Sequence, residues 1–150
     1  MPSLREQLSQ DPTKREAVVG DALNVLDQEV ADKSGLTGMA IKAAYKMVKS
    51  VKPGFLREVV DSLLDDFVDA LDPVYQESVE SGEKPGRYLE ANRSRVADDL
   101  LSITDKRAER AKNRAIKGAY SKLRATAKKH VEAAAPRLGA MLERHTTSGD

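Results

Sequence analysis

The sequence predicts an all-α protein: a compact helical bundle of about six main helices, arranged as two pseudo-symmetric three-helix halves. Three observations carry that reading. No stretch keeps the period-2 alternation of a half-buried strand, and the β-branched residues lie scattered among Ala, Leu, Glu and Lys, which favour helix. Apolar residues recur every three to four positions between evident turn signals. Finally, the stretch AIKAAY at 40–45 returns as AIKGAY at 115–120.

The elements follow in order. Asp11-Pro12 supplies an N-cap and a proline at the first helical position. The helix it opens carries Val19, Ala22, Leu23, Leu26 and Val30 on one stripe, until Ser34-Gly35 and Gly38 interrupt it. A second helix places Ile41, Ala44, Tyr45 and Val48 inward and Lys42, Lys46 and Lys49 outward, and Lys52-Pro53-Gly54 ends it. A third runs from about Phe55 to Leu71, with Leu56, Val59, Val60, Leu63, Phe67 and Val68 apolar and Asp61, Asp65 and Asp69 on its outer face. Asp72-Pro73 restarts a short helix, and SGEKPG at 81–86 reads as a loop.

The echo extends beyond six letters. VVGDALNVLD (18–27) matches VADDLLSITD (96–105) at an offset of 78, with Val18, Asp21, Leu23 and Asp27 identical to Val96, Asp99, Leu101 and Asp105. At AIKAAY the offset is 75, so the second copy lacks three residues where the first has its glycine-rich turn. At that offset Lys49 pairs with Arg124, Leu63 with Leu138 and Phe67 with Leu142. The expected organisation is one domain over residues 1–150, with repeat halves at about 11–71 and 87–145 joined by 72–86. In the second half Pro136 divides a middle helix running to about Ala134 from a shorter last helix. Tyr45 and Tyr120, like Ile41 and Ile116 and Ala44 and Ala119, are expected to face a shared core.

Composition narrows the chemistry. A chain of 150 residues is long enough to bury a real core. It has no cysteine, which removes disulfides, thiolate metal sites and a cysteine nucleophile, and suits a reducing cytoplasm. The opening MPSLREQLSQDPTKRE has no apolar centre and does not read as a secretory signal, and no apolar run approaches the roughly 20 residues of a membrane span. A cytoplasmic location is the expectation. Charge is segregated: residues 55–105 hold 5 basic against 13 acidic side chains, and 106–150 hold 12 against 4. Such asymmetry can be met by packing the two segments together, by head-to-tail assembly, or by an outside polyanion.

Among motifs, DDFVD at 65–69 has the spacing with which Asp65, Asp66 and Asp69 could share magnesium ions on a substrate diphosphate. A facing partner motif is missing, because Asp98-Asp99 continues as LLSIT, and a solvated acidic helix face explains the same residues. His130 and His145 lack ligand spacing and read as surface residues of basic helices. GLTG at 35–38, with Lys42 a turn later, could hold a phosphate on free amides, and an interhelix turn accounts for it equally. The cationic segment 106–129 offers Lys106, Arg107, Arg110, Lys112, Arg114, Lys117, Lys122, Arg124, Lys128 and Lys129 to a polyanion, without a helix-turn-helix or RNP signature.

The segments PSLREQLSQDPTKREAVVGD, ADKSGLTGMAIKAAYKMVKSVKPG and AKKHVEAAAPRLGAMLERH together resemble a family of small uncharacterised prokaryotic proteins grouped as a domain of unknown function. The resemblance implies a compact helical protein and brings no activity, cofactor or site residues. The functional expectation is a non-catalytic interaction or assembly module, with a protein partner or self-association. Sequence-nonspecific nucleic-acid binding through 106–129 is the alternative, and a magnesium–diphosphate site at DDFVD the weaker one. No cofactor is expected.

Overall fold

The computed structural model describes residues 2–146, and among them it contains seven helices and no strand. They are α1 (Leu4–Leu8), α2 (Pro12–Asp32), α3 (Gly35–Lys49), α4 (Phe55–Ser81), α5 (Pro85–Ala91), α6 (Arg93–Arg110) and α7 (Arg114–His145). The all-α bundle predicted from the sequence is what forms, with five long helices and two short ones.

Helix α4 is the axis of the core. Its Leu64, Val68, Leu71, Val74 and Tyr75 meet Leu4 and Leu8 of α1, Val18 and Val19 of α2, Leu89 of α5, Val96 and Leu100 of α6, and Leu142 of α7. The buried stripe of α4 therefore runs further along the helix than Leu56–Val68. Leu64, Leu71 and Tyr75 lie at its centre, while Val60 and Phe67 pack at its margin.

Two helices predicted to break do not. α4 continues through Asp72-Pro73, and α7 continues through Pro136 to His145. A proline removes one N–H and displaces the carbonyl four residues earlier, which is tolerable where that carbonyl meets water. Both prolines are exposed. On the opposite faces Leu71, Val74 and Tyr75, and Ala135, Gly139 and Leu142, are buried and hold each helix on its course. The Asp11 start is as expected, its carboxylate accepting the Lys14 N–H at 2.9 Å. α4 ends on Gly82, whose φ of 77° lets Glu83 N–H return to the Ser78 carbonyl at 3.1 Å.

Helix α1 is an element that periodicity alone overlooks. Ser3 caps it by accepting the Glu6 N–H at 3.2 Å, and Leu4 and Leu8, one turn apart, are buried completely or nearly so. It is latched to α4 at three points. Leu4 N–H donates to Asp72 Oδ1 at 2.9 Å, Gln7 donates to the buried Tyr75 hydroxyl at 3.2 Å, and Arg5 donates to Asp69 at 2.5 and 3.0 Å.

The two hairpins α2–α3 and α6–α7 extend from this core. α3 contributes no apolar side chain to it. Ile41, Ala44, Tyr45, Ile116, Ala119 and Tyr120, expected in a shared core, are only half-buried and lie outside the cluster. The reason is geometric: each tyrosine reaches back along its own hairpin to an aspartate instead of into the bundle. At the other end of α7, Gly139 lies directly on Gly86 of α5, so close that a Cβ on Gly139 would stand 2.5 Å from the Gly86 Cα. Arg137 bridges to Glu29 and Asp32 at 2.9 and 2.5 Å, and Arg144 and His145 both reach Asp21, fixing α7 antiparallel to α2.

Candidate functional site

The acidic stripe of α4 is occupied by arginines. Arg15 donates to Asp65 at 2.7 Å and to Asp61 at 2.8 Å, with a further bond to the Asp61 carbonyl oxygen at 2.7 Å. Arg5 takes Asp69 and lies 3.9 Å from Asp65, and Arg107 reaches Asp66 at 3.4 Å while donating to the Ser62 carbonyl at 2.8 Å. The Arg15 guanidinium holds the Asp65 carboxyl below the usual carboxylate range. Each carboxylate of DDFVD thus faces a guanidinium that a magnesium ion would have to displace. Among the described residues no group of three or more His, Asp and Glu side chains is placed to hold a metal ion.

The two hairpins carry the same clamp. In α2–α3 the Tyr45 hydroxyl donates to Asp27, and Lys49 stands 3.9 Å from that carboxylate and 5.1 Å from the Tyr45 ring centre. In α6–α7 the Tyr120 hydroxyl donates to Asp105 at 2.6 Å, and Arg124 donates to the same carboxylate at 2.8 and 3.1 Å. Asp27 and Asp105, Tyr45 and Tyr120, and Lys49 and Arg124 are the pairs that the two offsets in the sequence bring together. Burial and the neighbouring carboxylate push both phenols up, and Arg124 holds the Asp105 carboxyl down. Each clamp ties the two helices of its hairpin together by bringing a tyrosine hydroxyl and a cation to one aspartate.

Of the ten cations of 106–129, the structure commits three. Arg107 goes to Asp66, Arg124 to Asp105 and Lys128 to Asp98. Lys106, Arg110, Lys112, Arg114, Lys117, Lys122 and Lys129 are exposed and pair with no acid among the described residues. The acidic middle segment is therefore matched only partly by the basic end. The N-terminal Arg5 and Arg15 take most of the α4 stripe, and Arg95 takes Glu77 at 2.7 Å.

His130 and His145 are half-buried and not surface residues. His145 Nε2 lies 2.8 Å from Asp21, and His130 Nε2 is buried without a hydrogen-bond partner among the described residues. Burial, with Lys33 and Lys129 nearby, pushes the His130 imidazole below its ordinary value of 6.5. The glycines of GLTG serve the interhelix turn. Gly35 has a φ of 72°, and a Cβ on the buried Gly38 would stand 2.7 Å from the Lys33 carbonyl carbon.

The feature that the bundle does not use is the outer face of α3. Leu36 is 86% exposed and Met39 68%, and Ala40 and Ala43 are exposed on the same stripe. Lys42 and Lys46 edge it and are unpaired among the described residues. This apolar stripe has no intramolecular cover among the described residues. The sequence held this signal in the placement of Leu36 and Met39 ahead of the inward set Ile41, Ala44, Tyr45 and Val48. A helix with two apolar faces cannot bury both on one neighbour.

Fold and surface together define a helical bundle with an Asp–Tyr–cation clamp in each of two hairpins and, among the described residues, exposed and unmatched side chains on α3 and α7. The chain belongs to a family of unknown function, DUF6918, whose model matches residues 4–146. No curated protein and no solved structure matches it. No described helix is long and apolar enough to cross a membrane.

Proposed function

We propose that the chain is a non-catalytic interaction module that receives an acidic, apolar-faced helix of a protein partner on α3. The observation that supports this most is the exposed stripe of Leu36, Met39, Ala40 and Ala43 beside the unpaired Lys42 and Lys46. An amphipathic partner helix covers such a stripe with anchors at i, i+3, i+4 and i+7, and acids on its flank complement the two lysines. The cysteine-free composition suits a cytoplasmic setting for this role. The recurrence of the Asp–Tyr–cation clamp in both hairpins supports their origin in one duplicated unit.

A photo-crosslinking residue placed at Leu36 in the native host tests the reading. It should give a discrete adduct to a protein helix with an acid-flanked apolar face, weakened by Lys42→Glu/Lys46→Glu. An adduct pattern matching that of the same probe at exposed Glu80 would remove the proposal. So would an adduct only to a second copy of the chain, in favour of self-association. A magnesium-dependent enzyme is disfavoured within this reading, because Arg5, Arg15 and Arg107 already neutralise the carboxylates it would need.

A further inference from the structure

A second exposed surface lies at the far end of the α6–α7 hairpin and differs in kind from α3. α6 ends at Arg110, residues 111–113 make the connection, and α7 begins at Arg114. Lys106 and Arg110 stand one turn apart on the last turns of α6. Arg114 and Lys117 stand three residues apart on the first turn of α7, and Lys112 lies between the helices. Packed antiparallel helices run about 8–10 Å apart. A three-residue connection therefore brings all five cations onto one end of the hairpin, within about 15–20 Å, given a rise of about 1.5 Å per residue. All five are exposed, and none has an acid within ion-pair distance among the described residues. Glu109 is the only acid in 106–117.

Two further facts define what such an end can hold. The Ala115 and Ile116 amides at the start of α7 are already taken, Asn113 Oδ1 accepting from them at 2.9 and 3.2 Å. Any anion is therefore held by side chains, not by the helix terminus. Among the described residues the large exposed apolar side chains, Leu36, Met39 and Val51, all belong to α3 and the turn after it, and none to this hairpin. A protein interface needs an apolar centre as well as charge. A phosphodiester backbone needs charge alone, since its affinity comes chiefly from counterion release.

We propose that the cationic end formed by Lys106, Arg110, Lys112, Arg114 and Lys117 is a sequence-independent site for the phosphate backbone of a nucleic-acid duplex. A duplex offers one negative charge per ~1.7 Å of axis, so a patch of this width spans enough phosphates to engage about four of the five cations. Lys122 and Lys129, further along α7, extend the same charge toward the core. The fold commits Arg107, Arg124 and Lys128 to its own acids and leaves these others to an external anion. This site is independent of the α3 face and stands or falls separately from it.

Fluorescence anisotropy of the full chain with a labelled 20-base-pair DNA duplex and its RNA counterpart, titrated over salt, is the test. With about four phosphates engaged, log affinity should fall with log salt at a slope near −3.6, so raising NaCl from 50 to 200 mM should weaken binding about 150-fold. Lys106→Gln/Arg110→Gln/Lys112→Gln/Arg114→Gln should keep the unfolding midpoint, since these side chains make no ion pair among the described residues, and, with Lys117 alone left of the five, bring the slope to about −0.9. Lys42→Gln/Lys46→Gln on α3 should leave the slope unchanged. Binding of either duplex in this pattern supports the site and tells which nucleic acid supplies the phosphates. Three results overturn it: no binding at 50 mM NaCl, an unchanged slope in the quadruple variant, or displacement of the duplex by polyglutamate at equal charge concentration. The last would assign the patch to an acidic protein.

Discussion

The crossing of α5 and α7 makes a prediction with opposite signs at two glycines of one helix. At Gly139 a Cβ would stand 2.5 Å from the Gly86 Cα and 3.1 Å from the Gly86 carbonyl oxygen, all backbone atoms that no rotamer change can move. Ordinary carbon contacts lie near 3.5–4.0 Å, so α5 must retreat from α7 by about 1 Å. That retreat loosens the hydrogen bond from Gly86 N–H to Glu143 Oε1, now 3.0 Å, and the burial of Leu89 next along α5. Overpacking of this kind costs about 1–3 kcal/mol. Replacing a mid-helix glycine by alanine returns at most about 1 kcal/mol of helix propensity. Gly139→Ala should therefore be destabilised by about 1–2 kcal/mol, a fall of roughly 3–6 °C in Tm for a chain of this size. Gly118 lies in the same helix, exposed, with nothing within 4 Å of the point a Cβ would occupy. Gly118→Ala should gain about 0.5–1 kcal/mol by propensity alone. Urea unfolding of both variants beside the parent reads the two signs directly. A Gly139→Ala protein as stable as Gly118→Ala would rule out the close crossing.

Three further outcomes follow. Leu4→Ala removes a fully buried side chain from the latch between α1 and α4 and should cost about 2–4 kcal/mol in chemical unfolding, far above a terminal residue's usual effect. Arg15→Ala should destabilise by about 1 kcal/mol near neutral pH, discounted for the partial exposure of the pair, and the difference should shrink in acid to what the bonds to the Asp61 and Ser9 carbonyls contribute. The sign follows from Asp65: its folded pKa is lowered, so its stabilisation is present above the ordinary value of 3.8 and is lost as pH falls through the folded value. His130, flanked by Lys33, Lys129 and Glu29, has a lowered folded pKa, so the unfolded chain binds its proton first and stability declines as pH drops below 6.5. His130→Gln should flatten that part of the stability–pH curve, while an unaltered curve would place the effect elsewhere.

Much of the helical order was legible in the sequence because caps and breakers act locally. Asp11-Pro12 and Lys52-Pro53-Gly54 fall where their chemistry predicts, while the loop expected over 81–86 narrows to 82–84, with Ser81 closing α4 and Pro85 opening α5. Pro73 and Pro136 misled because a proline's cost depends on whether its displaced carbonyl faces water, and that is settled by tertiary packing. α1 was readable from its own residues: Ser3 with Glu6 three positions on is a capping box, and Leu4 and Leu8 share a face. A five-residue helix is too short for periodicity to reveal. The acidic stripe was correctly placed on an outer face. Its neutralisation by Arg5 and Arg15, some 50 to 65 positions away, is a long-range fact that local patterns do not encode. The echo AIKAAY/AIKGAY pairs Tyr45 with Tyr120 in the sequence, yet half-burial alone does not tell a core tyrosine from one clamped to a hairpin aspartate.

Whether the apolar outer face of α3 is kept for a partner and not for the bundle itself is decided by the unfolding free energy of Leu36→Glu/Met39→Glu. Side chains 86% and 68% exposed contribute little to the bundle, so the double variant should match the parent within about 0.5 kcal/mol. A loss above about 2 kcal/mol would place both residues in a core, and the α3 face would then be no docking surface.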